Sequence, residues 1–142
     1  MVTGLPKLAG QRVRQRASSP KLQVLNTALI AAQSSLSFSE AQQDRNFWGR
    51  LIEPTVGAHL ANSVVDTSME LFYWERGKEV DFVLRRGQRV VAIEVKSGRG
   101  RENLPGMSAF DRAFAPQRKL LVGGQGLALD EFLLTPVTHW LE

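Results

Sequence analysis

Between Glu79 and Lys96 apolar and polar residues alternate with the period of two that belongs to β-strands. Val80, Phe82 and Leu84 share one face of a first run; Val91, Ile93 and Val95 share one face of a second. Arg86-Gly87-Gln88 joins the runs, which predicts an antiparallel hairpin. Leu71-Phe72-Tyr73-Trp74-Glu75 predicts a strand before it, across the turn Arg76-Gly77-Lys78, and completes a three-stranded meander. Upstream the period lengthens. Phe47, Trp48, Leu51, Ile52, Val56, Leu60 and Val64 recur at steps of three and four, which predicts an amphipathic helix ending near Asn62 to Asp66. Downstream, Pro105 opens a helix with Met107, Phe110 and Phe114 on one face. Lys119 to Val122 predicts a fourth strand, stopped by Gly123-Gly124. A short helix around Asp130 to Leu134 and a last turn to Leu141 close the chain.

The order helix, three strands, helix, strand, helix predicts an α/β fold. Its mixed four-stranded sheet carries helices on both faces, and the fourth strand crosses over by way of a helix. Smaller features precede this core. Lys21 to Leu25 predicts a short strand, Asn26 caps a small apolar helix through Ala32, and Ser39 with Gln42 forms a capping box. Residues 1–20 show no sustained period and read as a basic tail or the remnant of an upstream region, leaving 21–142 as a single domain.

Charge enters the sheet where apolar side chains are expected. Period two sends Glu94 and Lys96 to one face, shared with Val90 and Ala92 and therefore predicted to be covered. A turn near Arg86-Gly87 brings Asp81 beside Glu94. Buried charges cost several kcal/mol, roughly, unless paired or metal-bound. Two carboxylates on neighbouring strands are suited to Mg²⁺, and Lys96 to orienting a water or stabilising a phosphate. Glu53 lies on the apolar stripe of the first helix. Pro54 after it either kinks that helix or starts a new one with Glu53 as its cap; pairing with an arginine is the plainer role for this glutamate.

The remaining composition narrows the classes. The 142 residues contain no cysteine, which excludes disulfides and thiolate zinc sites. The longest apolar run, Ala28 to Ala32, is too short to span a bilayer, and no signal-peptide pattern precedes it, so a cytoplasmic location is expected. No P-loop motif occurs. The net charge of +4 is unevenly spread. Arg85, Arg86, Arg99 and Arg101 flank the hairpin, and such patches suit either a phosphate backbone or plain solvation. His59 lies about 240° around the helix from Glu53, and His139 is isolated, so packing or surface roles are expected for both. Gly123-Gly124-Gln125-Gly126 reads as a turn. Tyr73 and Trp74 are candidates for base stacking, although alternation buries one of them.

Asp81, Glu94-Val95-Lys96 and Glu53 together resemble the PD-(D/E)XK nuclease superfamily, whose restriction-endonuclease-like core runs αβββαβ. Val80 stands where the superfamily name has proline. A closer resemblance rests on Ser19-Pro20-Lys21-Leu22, Trp48-Gly49-Arg50-Leu51-Ile52-Glu53, Val56-Gly57-Ala58-His59-Leu60, Glu79-Val80-Asp81-Phe82-Val83, Ile93-Glu94-Val95-Lys96-Ser97-Gly98, Leu104-Pro105-Gly106 and Leu120-Leu121-Val122-Gly123. These look like the nuclease-like domain of unknown function at the C-terminus of prokaryotic AAA+ ATPases. The chain departs from that pattern at Asn26 and Ala28, where aspartate and glycine are usual, and at Pro54, where a small residue is usual. The resemblance implies a Mg²⁺-dependent endonuclease, with Mn²⁺ as a substitute, that hydrolyses phosphodiester bonds in DNA. Asp81, Glu94, Lys96 and Glu53 would be catalytic; Asp81, Glu94 and Glu53 would ligate metal; Arg85, Arg86, Arg99 and Arg101 would contact DNA. The alternative is a catalytically weak or inactive accessory domain that binds DNA or protein for the ATPase module. A third reading is a homodimer with Phe47, Trp48 and Tyr73 at its interface.

Overall fold

A computed structural model of the chain describes residues 1–10, 18–98 and 103–142. Strands β1 (Val2–Leu5) and β2 (Lys21–Val24) come first, followed by helices α1 (Ala28–Ala32), α2 (Phe38–Gln43) and α3 (Arg45–Val64). The meander is β3 (Glu70–Glu75), β4 (Glu79–Arg86) and β5 (Arg89–Lys96). Helix α4 (Pro105–Phe114) leads to β6 (Arg118–Gly123), then α5 (Leu129–Leu134) and a closing 3₁₀ turn, Val137–Leu141. The main sheet has the order β3-β4-β5-β6, antiparallel except for the parallel pair β5–β6 reached through α4. It is the mixed sheet expected from the pattern, with the expected crossover.

Two apolar layers hold it. On one face Ile52, Val56 and Leu60 of α3, with Phe132 and Leu141, pack on Leu71, Phe82, Leu84, Val91 and Ile93. On the other, Met107 and Phe110 of α4 pack on Phe72, Trp74, Val80, Val83 and Ala92. Val80 therefore lies across the sheet from Phe82 and Leu84, not beside them as simple alternation predicts. The cause is a bulge. Phe72 pairs with Val83 but Trp74 pairs with Val80, so Asp81 and Phe82 together stand opposite the single Tyr73. One extra residue reverses the facing of everything before it.

Helix α3 runs unbroken through Pro54. The ring removes one i→i−4 hydrogen bond, but the helix does not restart there, so Glu53 is a mid-helix residue and not a cap. Asp44 caps the helix instead, its carboxylate accepting from the amides of Asn46 (3.1 Å) and Phe47 (3.0 Å). The capping box before it belongs to Ser37 and Glu40, two residues ahead of the expected Ser39 and Gln42.

The first residues, expected to lack structure, pair with β2: Val2 lies opposite Val24 and Leu5 opposite Lys21. Leu5 and Leu8 are buried. Beyond β1 the chain runs along β3, where the Leu8 amide donates to the Tyr73 carbonyl (2.8 Å) and the Tyr73 amide to the Pro6 carbonyl (3.0 Å). Gly57 lets β2 approach α3, since a Cβ there would collide with the Gln23 amide. Gln23 Nε2 donates to the carbonyls of Val24 (2.7 Å) and Pro54 (3.2 Å). Among the described residues no helix is long and apolar enough to cross a membrane.

Candidate functional site

The β4–β5 ladder runs from the two-residue turn at Gly87, where φ is +60°, to the pair Phe82–Ile93. The next position along the register holds Asp81 and Glu94. Here a side chain takes over from the ladder: Asp81 Oδ2 accepts the Val95 amide at 2.8 Å. Glu94 is only 9% exposed, which makes it the one buried charged residue among those described. Its Oε1 lies 3.2 Å from Lys96 Nζ, while Oε2 is buried with no hydrogen-bond partner. The antiparallel register thus brings Asp81, Glu94 and Lys96 to one end of the sheet.

Electrostatics at this end are strained. Burial, then the charges of Glu94 and Glu53, push the Asp81 carboxyl up to about 7. The Val95 amide and Lys21 pull the other way but do not prevail. Burial also raises Glu94, helped by Glu79 and opposed by Lys96 and the Asp81 amide. The Glu94 and Glu53 carboxylates thus hold Asp81 closer to neutrality.

Glu53 reaches the same region from α3, but its partner is Lys21. That ammonium lies 3.2 Å from Glu53 Oε1 and 2.7 Å from Glu79 Oε1, joining β2, α3 and β4. Burial alone would lower the Lys21 pKa; the two glutamates outweigh it and raise it. Sequence reasoning singled out neither Lys21 nor Glu79 as a site residue. Both stood in the motifs that carried the family resemblance, and that was the available signal.

Arg85 and Arg86 are placed elsewhere. Arg85 contacts Glu70 Oε2 through Nη2 at 2.8 Å, and its guanidinium lies 4.7 Å from the Phe72 ring centroid. Arg86 pairs with Arg89 at the hairpin turn. Arg85 is four residues from Asp81, about 13 Å along the strand, so both arginines lie at the far end of β4. Arg99 and Arg101 lie outside the described residues. Both aromatic candidates are buried, one on each face. Tyr73 donates its hydroxyl to the Ser19 carbonyl (2.9 Å), and Trp74 packs edge-on to Phe110. Tyr73 is therefore engaged within its own chain and largely buried. His59 packs edge-on to Phe132, and His139 lies 3.7 Å from Glu142. The glycine run is the expected turn, closed by the Gly126 amide on the Gly123 carbonyl (2.9 Å).

Among the described residues no three His, Cys, Asp or Glu side chains gather as a group that could hold an ion. Asp81 and Glu94 converge, and the orphaned Glu94 Oε2 is the kind of atom a cation would satisfy, but Glu53 is turned to Lys21. As arranged, the residues do not fit a three-carboxylate centre.

An open mixed sheet between helices, with the acid, Glu-x-Lys and helix glutamate at one end, is a restriction-endonuclease-like core. Residues 48–138, most of the chain, match the domain of unknown function DUF4143. The chain belongs to this family, whose domain occurs at the C-terminus of prokaryotic AAA+ ATPases. No curated protein and no solved structure matched the chain.

Proposed function

We propose that the chain is a nuclease-like accessory domain of a cytoplasmic AAA+ ATPase, binding DNA with little or no cleavage. The observation that carries this is the closure of the acidic end by lysines: Lys21 on Glu53 and Glu79, Lys96 on Glu94. Lysines that neutralise part of the cluster from within reduce its need for a bound cation. DNA is favoured by charge: the chain is +4 overall, and the Glu53, Glu79, Asp81, Glu94, Lys21 and Lys96 cluster is itself net acidic, which leaves the rest of the sequence more basic still. Fluorescence anisotropy with a labelled duplex tests it. Three phosphate contacts would weaken affinity about forty-fold between 50 and 200 mM salt, from a log–log slope of about −0.9 per contact. The same duplex should stay intact with Mg²⁺. Absence of binding at low salt would remove the DNA assignment.

A second reading, phosphodiester hydrolysis with Mg²⁺ or Mn²⁺, is favoured by one specific observation, the unpartnered Glu94 Oε2 beside Asp81. Cleavage that appears with Mn²⁺ and vanishes in Asp81→Asn would establish it in place of the first.

A further inference from the structure

Three arginines gather on one face of the sheet at the end opposite the carboxylates. Leu84, Val91 and Leu120 all belong to the apolar layer under α3. Arg86, Arg89 and Arg118 each stand two residues from one of these, towards the hairpin turn, so period two carries all three to the same face. Arg86 lies directly opposite Arg89, and Val91, two residues on from Arg89, lies opposite Arg118. Strand spacing and rise put their alpha carbons within about 12 Å of one another. Two of the side chains are held in place. Arg89 Nη1 donates to the Leu141 carbonyl at 2.9 Å, and the Arg118 guanidinium lies 5.9 Å from the Trp140 ring centroid. Trp140 is itself fixed by stacking on Phe132, with centroids 5.7 Å apart. Arg85 does not join them: it lies over Phe72 on the other face and is paired with Glu70.

We infer that Arg86, Arg89 and Arg118 form the surface that grips the DNA backbone, at the hairpin-turn end of the sheet and away from the carboxylates. The inference rests on the DNA-binding reading of the proposed function and says where the duplex sits. Like charges directly opposite on two strands destabilise a sheet, and a phosphate between Arg86 and Arg89 removes that cost. Among the described residues none of the three forms an ion pair with a carboxylate; Glu142, the acid next to Leu141, lies 3.7 Å from His139. Arginine suits the task, because its planar fork matches phosphate oxygens in pairs and loses little freedom when already held by a carbonyl or a ring. Arg86 is five residues from Asp81, about 17 Å along β4. A backbone gripped there is kept from the net acidic end, which repels it, and that is the physical basis for binding without cleavage.

The test is the anisotropy of a labelled DNA duplex with the full chain, titrated at salt from 50 to 200 mM. Three contacts give wild type its loss of about forty-fold over that range, and each contact removed lowers the log–log slope by about 0.9. Arg86→Gln should therefore weaken only about twelve-fold with salt, and Arg86→Gln combined with Arg118→Gln about three- to four-fold. Arg85→Gln removes the same charge one residue away on the opposite face and should keep the wild-type slope. If the double variant does not fold, Arg86→Gln decides alone, since its side chain holds neither Leu141 nor Trp140. A wild-type slope in Arg86→Gln would overturn the inference and leave DNA binding standing. Equal loss of slope in Arg85→Gln and Arg86→Gln would do the same, because total charge and not this face would then carry the effect. No binding by wild type at low salt would remove the DNA reading itself, and the inference with it.

Discussion

Asp81 and Glu94 lie on adjacent strands just past the point where the backbone ladder stops, and the Glu94 carboxylate makes Asp81 harder to ionise. For Asp81 the consequence for stability has a definite sign. Its folded pKa of about 7 lies above the reference value of 3.8. Between those limits the folded state keeps a proton that the unfolded state has lost, so stability falls as pH rises through the window and levels off above it. Asp81→Asn removes this dependence while preserving an acceptor for the Val95 amide. Urea denaturation should find the variant more stable than wild type at pH 8, with the gap closing towards pH 4. A gap of constant size across that range would show that Asp81 does not titrate as described. The strand period made Asp81, Glu94 and Lys96 legible because all three lie on one hairpin. Lys21 was not, since nothing local connects position 21 to positions 53 and 79. Only the folded β2 brings it there.

At the scale of elements, legibility followed periodicity. The long helix, the meander, α4 and β6 each carry a sustained apolar repeat, and each formed where that repeat placed it. The bulge left no such trace. Val80, Phe82 and Leu84 read as regular alternation, although an inserted residue separates the faces of the first two. Strand β1 was hidden for another reason: its residues have no period of their own and are ordered by pairing with β2. Two substitutions probe these contacts. Phe110 is fully buried between Trp74 and Phe114, with ring centroids at 5.4 and 4.7 Å. Phe110→Ala should cost about 3–5 kcal/mol in chemical denaturation, the range for truncating a buried phenylalanine. Gly57→Ala sets two effects against each other. Helix propensity favours alanine by about 1 kcal/mol, whereas overpacking costs about 1–3 kcal/mol and the displaced Gln23 loses buried hydrogen bonds. The second should win, with a lower melting temperature; a higher one would mean that Gln23 moves aside freely.

For the molecule as a whole, the first ten residues do more than their composition suggests. Leu5 and Leu8 contribute to the two separate apolar clusters, and Pro6 to Leu8 cover the outer side of β3. Leu8→Ala should therefore cost about 2–5 kcal/mol, a core-sized loss at a position expected to lie in a tail. Equilibrium unfolding would check it, and a loss below 1 kcal/mol, roughly the effect of a surface change, would contradict the packing. The same cover bears on where the domain can be cut. A fragment trimmed to the family-matched residues 48–138 would lose β1, β2 and Lys21 together. Its β3 would present Leu71-Phe72-Tyr73-Trp74 with the Tyr73 amide and carbonyl unpaired, an apolar sheet margin ready to recruit another strand. Such a fragment would polymerise edge to edge, and metal or DNA measurements made on it would report on the aggregate and not on the domain.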